Sequence, residues 1–177
     1  MNAELVLATA EDSPTIVNLW PLYQYDLSEL GGQLPNAHGL FEDDNVHAYD
    51  YSQPLRVWFN RPNHLFPYII RVDGRAAGFA MIGKAPAHAP KGSDYFVHEF
   101  FLLRPFRRHG VATEMARQIF AQHPGKWELW VIPENAPALA FWRKVIGEIA
   151  GGTLTEAQEY KTSWESEAAV LKFESGT

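Results

Sequence analysis

The chain has 177 residues, 46% of them hydrophobic and 14% aromatic, and it contains no cysteine. That length suits one domain with a substantial core, and the aromatic content excludes a disordered chain. A net charge of −6 argues against nucleic acid as the main partner, and the absent thiols exclude disulfides, thiolate zinc sites and a cysteine nucleophile. No stretch approaches a membrane span, and the N-terminus lacks a basic region followed by an apolar core, so a cytoplasmic location is the expectation. The sequence has no internal repeat and no low-complexity linker, and residues 1–177 read as a single domain.

Taken in chain order, residues 5–7 predict a short first strand. Asp12-Ser13-Pro14 opens a helix with Ile16, Val17, Trp20 and Tyr23 on its inner side, and Pro21 is expected to kink or divide it. Residues 31–63 mix Gly, Pro and acids and carry little pattern beyond a short helix near 54–59. Strands at 66–72 and 76–82 flank Asp73-Gly74, a strong hairpin signal, and 95–103 gives the next strand.

Val111, Met115 and Ile119 recur at helical spacing with Ala112, Ala116 and Phe120 beside them, predicting a helix over 111–121 that ends at His123-Pro124-Gly125. A strand follows at 127–132. Asn135 is positioned as the N-cap of a second helix with Pro137 in its first turn and Ala138, Phe141, Trp142 and Val145 along it. After the Gly151-Gly152 break, 153–161 and 168–173 predict a final hairpin. The order is β-α-β-β-β-α-β-α-β-β, a mixed α/β chain with an antiparallel front and one right-handed crossover.

The segment from Phe100 to Thr113 carries most information about function. An apolar run stops at Arg104-Pro105, a basic turn containing Gly110 follows, and a helix begins. A helix N-terminus presents unpaired N–H groups and the positive end of its dipole, and Arg107 and Arg108 add full charge beside it. This arrangement suits a pyrophosphate. A basic turn capping an ordinary helix is the alternative.

The pattern Arg107-x-x-Gly110-x-Ala112 resembles motif A of the GNAT family of N-acetyltransferases, in which such a loop grips the pyrophosphate of acetyl-CoA. Asn135-x-x-Ala138-x-x-Phe141-Trp142-x-Lys144 is similar to the family's motif B, in the usual order and spacing. The likeness is firm from about Ile69 to Gly147 and points to a bacterial branch of unassigned substrate.

It implies a mostly antiparallel sheet of about seven strands with helices on both faces, and two central strands splayed to admit the acetyl-pantetheine arm. The cofactor residues it implies are Phe101, Leu102 and Leu103, whose backbone would polarise the thioester. The loop residues are Arg107, Arg108, His109, Gly110, Val111, Ala112 and Thr113, and Asn135, Ala138 and Trp142 would lie along the pantetheine. The activity implied is transfer of acetyl from acetyl-CoA to a primary amine of a small molecule or peptide, by direct attack in a ternary complex and without a metal. A non-catalytic acyl-CoA-binding or regulatory domain is the alternative.

Glu99 interrupts an otherwise apolar strand, and a partly buried carboxylate there would suit a general base. The family often carries a Glu near this point. Glu99 could equally pair with an Arg or face solvent. His98 points to the opposite face and reads as a structural histidine. His98-Glu99 also begins like the zinc-protease pattern, but Leu102 occupies its last ligand position and the segment reads as strand.

At Trp142 many family members carry a Tyr that protonates the departing thiolate, and an indole N–H cannot serve as that acid. Tyr23, Tyr25 and Tyr160 are available instead, or the thiolate leaves unaided. For the acceptor, Tyr23, Tyr25 and Asp26, with Glu42, Asp43, Asp44, Tyr49, Tyr51 and Trp58, could select a cationic amine by charge and cation–π contacts. The same residues could be core aromatics and solvated acids. The family is often dimeric, and Trp164 could serve a homodimer interface. No nucleic-acid or membrane partner is expected.

Overall fold

The computed structural model describes residues 1–41, 52–162 and 166–176. Its strands are β1 (Ala3–Leu7), β2 (Leu65–Val72), β3 (Arg75–Lys84), β4 (Tyr95–Leu102), β5 (Gly125–Val131), β6 (Thr155–Lys161) and β7 (Ser166–Ser175). Its α-helices are α1 (Ser13–Gly31), α2 (Ser52–Phe59), α3 (Val111–Gln122) and α4 (Ala136–Ile149). The strands form one open, mostly antiparallel sheet in the order β1-β2-β3-β4-β5-β7-β6. β1 pairs antiparallel with β2, and β7 antiparallel with both β5 and β6, while β4 and β5 run parallel. The expected mixed α/β class and strand count are both present.

The backbone divides into two compact units, Met1–Met81 with Glu99–His109, and Ile82–His98 with Gly110–Thr177. In the first, Asp73 and Gly74 both take positive φ, 49° and 75°, the backbone a tight hairpin turn between β2 and β3 demands. Ile16, Leu19 and Trp20 of α1 and Leu55 of α2 bury against Ile69, Phe79, Met81 and Phe101.

One expectation for α1 is corrected. Pro21 does not divide it; the helix runs unbroken from Ser13 to Gly31. The proline removes one N–H, while a buried apolar stripe holds the backbone together. Asp12-Ser13-Pro14 opens the helix as expected, with Asp12 at the N-cap, and its carboxylate turns back to accept from the Thr9 N–H and Oγ1, each at 3.0 Å. The chain therefore enters through a short 3-10 turn at Ala10–Asp12.

Gly78 of β3 is fixed by contact. A Cβ at that position would lie 2.1 Å from the Phe101 carbonyl oxygen and 2.9 Å from the Leu102 Cα, both backbone atoms with no freedom to retreat. One residue away the ladder is regular, with the Leu103 N–H donating to the Ala77 carbonyl at 2.8 Å.

The second unit is organised around Trp127 of β5. Its ring stacks on Tyr95 at 5.0 Å, meets Phe120 of α3 edge-on at 4.8 Å, and lies parallel to Phe173 of β7. Its indole N–H donates to the His123 carbonyl at 2.9 Å, so the buried polar atom is satisfied. β5 and β7 extend beyond their expected limits because Gly125, expected to stop the preceding helix, pairs with Ser175 and opens the ladder. The parallel β4–β5 ladder comprises Tyr95–Trp127, Phe96–Glu128 and Val97–Leu129, although both strands run on past it.

Gly78→Ala is expected to destabilise the protein by at least about 1–3 kcal/mol, the usual range for overpacking. A lowered denaturant midpoint would show this, and an unchanged midpoint would contradict the contact.

Candidate functional site

Within the first unit, one row of α1 sets the geometry. Trp20, Tyr23, Asp26 and Glu29 recur every three residues, each about 60° round the helix from the one before. Successive members therefore adjoin, while the series passes from the buried face at Trp20 to the exposed face at Glu29. Glu99 and Phe101 are two apart on β4 and share a face of the strand. Phe101 belongs to the core against which α1 packs, which brings Glu99 to α1 as well.

The Tyr23 hydroxyl donates to the Glu99 Oε2. The tyrosine ring is held by Trp20, Phe79 and Phe101, with centroids at 5.5, 5.6 and 5.4 Å. The expected base and an expected acceptor residue are thus joined directly. Tyr25, by contrast, is 61% exposed and lies 5.7 Å from the Phe41 ring.

Asp26 is taken up by two arginines. Arg104 Nε donates to its Oδ1 at 2.7 Å, and an Arg107 terminal nitrogen donates to its Oδ2 at 2.5 Å. Arg104 also reaches Glu29 at 3.2 Å. The Arg107 Nε donates to the Leu102 carbonyl at 2.6 Å, and its guanidinium lies over the Phe101 ring. Burial by itself would push the Asp26 carboxyl up, but the hydrogen bonds and charges of Arg107 and Arg104 outweigh it and hold that carboxyl below its ordinary value.

Arg107 is therefore a brace between strand end and helix. Arg108 and His109 remain exposed, and Arg108 has the positive φ of 65°. Arg104, read in the sequence as the end of the apolar run, and Glu29, which was not singled out, carry part of this network. Glu29 lies three residues beyond Asp26 on the same side of α1, and that repeat of acids was the available signal.

In the second unit, Gly110 is the N-cap of α3 with φ 80°, and a Cβ there would meet nothing within 4 Å. Among the described residues, none crowds that position. Val111 is buried, which anchors the first turn, while Ala112 and Thr113 are half-buried. The N–H groups of that turn have no acceptor within their own helix.

Asn135 caps α4, its Oδ1 accepting from the Ala138 N–H at 3.1 Å. Trp142 is buried at 6% exposure beside Phe120 and Phe141. His98 bonds through Nε2 to the His88 carbonyl at 3.0 Å, the structural role expected of it.

Sequence reasoning also passed over Glu128, a carboxylate only 2% exposed in β5. Ser93 Oγ and the Trp130 indole N–H donate to it at 3.1 and 2.6 Å, and the Lys161 and Lys172 ammonium groups stand at 3.9 and 3.7 Å. It interrupts an apolar strand as Glu99 does, so the same signal was present. Glu42, Asp43, Asp44, Tyr49, Tyr51 and Trp164 lie outside the described residues. Trp58 packs against the core of the first unit. Among the described residues no cluster of three or more His, Asp or Glu side chains is arranged to hold a metal, and no helix is long and apolar enough to cross a membrane.

The profile of the acetyltransferase (GNAT) family matches residues 33–147, more than half the chain. This chain belongs to the GNAT family. The activity of that family is acetylation from acetyl-CoA. No curated protein matches the sequence. Solved structures share the fold at low identity. An acetyltransferase from Thermus thermophilus is 13% identical, with 98% of this chain and 97% of that one covered and a TM-score of 0.65. The aminoglycoside acetyltransferase AAC(6')-Ib, solved with coenzyme A, is 13% identical over 98% and 95% with a TM-score of 0.64. The ribosomal-protein-S18-alanine N-acetyltransferase of Escherichia coli is 12% identical over 99% and 96% with a TM-score of 0.59.

The Asp26 cluster has a pH signature. Because the folded-state carboxyl lies below its ordinary 3.8, the ion pairs stabilise fully above that value and are lost as the pH falls through the folded value. The melting-temperature gap between wild type and Asp26→Asn should therefore be constant near neutrality and close below about pH 4. A gap independent of pH would contradict the pairing.

Proposed function

We propose that residues 1–177 act as one acetyltransferase domain that moves the acetyl group of acetyl-CoA to a primary amine of a small molecule or peptide. The observation that carries this reading is the start of α3, with left-handed Gly110, room for a Cβ there among the described residues, and a first turn whose N–H groups lack acceptors in their own helix. These residues fit a pyrophosphate. Gly110, Val111, Ala112 and Thr113 would hold it through the backbone, with Arg108 and His109 adjoining in sequence. Arg107 would act by bracing the strand end, since its charge is already paired with Asp26. When bound, acetyl-CoA supplies the activated acyl group.

In the reaction the neutral amine forms a C–N bond to the thioester carbon while the C–S electrons leave on sulfur. The proton released from nitrogen passes to the Glu99 carboxylate and from there through water to the thiolate, which restores the carboxylate. The sum is an amide and free CoA. Tyr25, exposed near the C-terminal half of α1, is the stronger acceptor candidate, because Asp26 is engaged by arginines and Tyr23 by Glu99. A cytoplasmic location belongs to this reading and rests on the cysteine-free sequence.

Trp142 supports a second reading, a domain that binds acyl-CoA without turning it over. It stands where a Tyr acid would be expected and is buried against Phe120.

Gly110→Asp keeps a residue that tolerates left-handed backbone but places a carboxylate at the helix start. In calorimetric titration with acetyl-CoA it is expected to lose affinity by at least about tenfold, given the usual strength of charge–dipole terms at this position. Undiminished affinity would refute the cradle. Glu99→Gln should lower the rate of thiol release by about a hundredfold and flatten its rise with pH, with acetyl-CoA affinity intact. Intact binding and no amine-dependent thiol release in wild type would favour the second reading.

A further inference from the structure

We propose that Tyr23 is the positioning residue of the base: its phenol, locked between three aromatic rings, aims and charges the Glu99 carboxylate. The inference rests on the acetyltransferase reading of Glu99 and adds a residue to it.

The geometry separates Tyr23 from an acceptor contact. Trp20, Phe79 and Phe101 surround its ring at centroid distances of 5.5, 5.6 and 5.4 Å, in edge-on and tilted packing that resists rotation. Phe79 and Trp20 themselves stack at 5.6 Å, and both are buried, so the clamp is part of the core. A hydroxyl held this way has little freedom, and it donates to the Glu99 Oε2. A hydrogen bond donated to a carboxylate favours its ionised form, the form that takes a proton from an amine. The phenol proton is engaged there, so Tyr23 is not the acid for the departing thiolate.

Among the described residues, the charged groups on the elements packed around this cluster include Arg107, whose guanidinium lies over the Phe101 ring, together with Arg104, Asp26 and Glu29. These two cations and two carboxylates pair with one another within the ion-pair cluster. The Tyr23 bond joins α1 directly to Glu99. A helix that carries an acceptor candidate, Tyr25, also carries the group that orients the base.

Two measurements on Tyr23→Phe test this. The variant keeps the ring in its clamp and removes only the hydroxyl. With glutamate labelled at the side-chain carboxyl carbon, the Glu99 signal, assigned by its absence in Glu99→Gln, is followed by NMR against pH. Its titration should move to higher pH in Tyr23→Phe. An unmoved titration would overturn the proposal. Thiol release from acetyl-CoA with spermidine and with lysine- and alanine-initiated peptides gives the second readout. Tyr23→Phe should slow it about tenfold, a share of what general-base catalysis provides, but less than about twofold when Glu99 is already Gln. Equal losses in both backgrounds would make Tyr23 an acceptor or structural residue and overturn the inference. Calorimetry with acetyl-CoA on the same proteins keeps the two questions apart. Absent binding in wild type refutes the enzyme reading, while the NMR titration still decides the Tyr23–Glu99 coupling.

Discussion

The Phe101 carbonyl oxygen lies where residue 78 would carry a side chain, and the candidate catalytic geometry of the first unit depends on that contact. Only a glycine on β3 lets the end of β4 come this close. With the backbone fixed there, the Leu103 N–H meets Ala77 and the Leu102 carbonyl accepts from Arg107. Arg107 reaches on to Asp26 of α1, and three residues earlier Tyr23 meets Glu99. A backbone constraint, a charge cluster and an aromatic clamp thus act on the same few residues. Partly buried ion pairs of this kind fix geometry more dependably than they add stability.

The second unit solves a different problem with different chemistry. Trp127 ties β5 to α3 through Phe120 and to β7 through Phe173, and its N–H is spent on the His123 carbonyl where α3 ends. The far end of that helix, starting at Gly110, is correspondingly well supported, and its first-turn N–H groups have no acceptor within their own helix. Binding an anion there requires no rearrangement of the helix, which favours affinity through preorganisation.

Much of the fold was legible because its signals are local. Asp73-Gly74 needs no partner to specify a hairpin, and Asn135 caps α4 through a bond three residues long. Pro21 misled because its local penalty was outweighed by Ile16, Leu19 and Trp20 packing on one side of a continuous helix. The α3 helix ends at His123-Pro124-Gly125 as expected, but β5 starts two residues early because Gly125 pairs with Ser175, far away in sequence. The candidate site divides in the same way. Gly110 was readable from a short local pattern, whereas Tyr23–Glu99 and Asp26–Arg107 join positions 76 and 81 apart. Glu128 shows the limit most plainly: a lone acid in an apolar strand marks a buried carboxylate but not its purpose.

The central claim is that the N-terminus of α3 receives the phosphates of acetyl-CoA. Backbone amide NMR during titration with CoA tests it without mutation or an assay. If the claim holds, the amides of Gly110, Val111, Ala112 and Thr113 shift together and saturably, ahead of those in the hairpin turn at Asp73-Gly74. Saturable binding that leaves these four amides unmoved would contradict it.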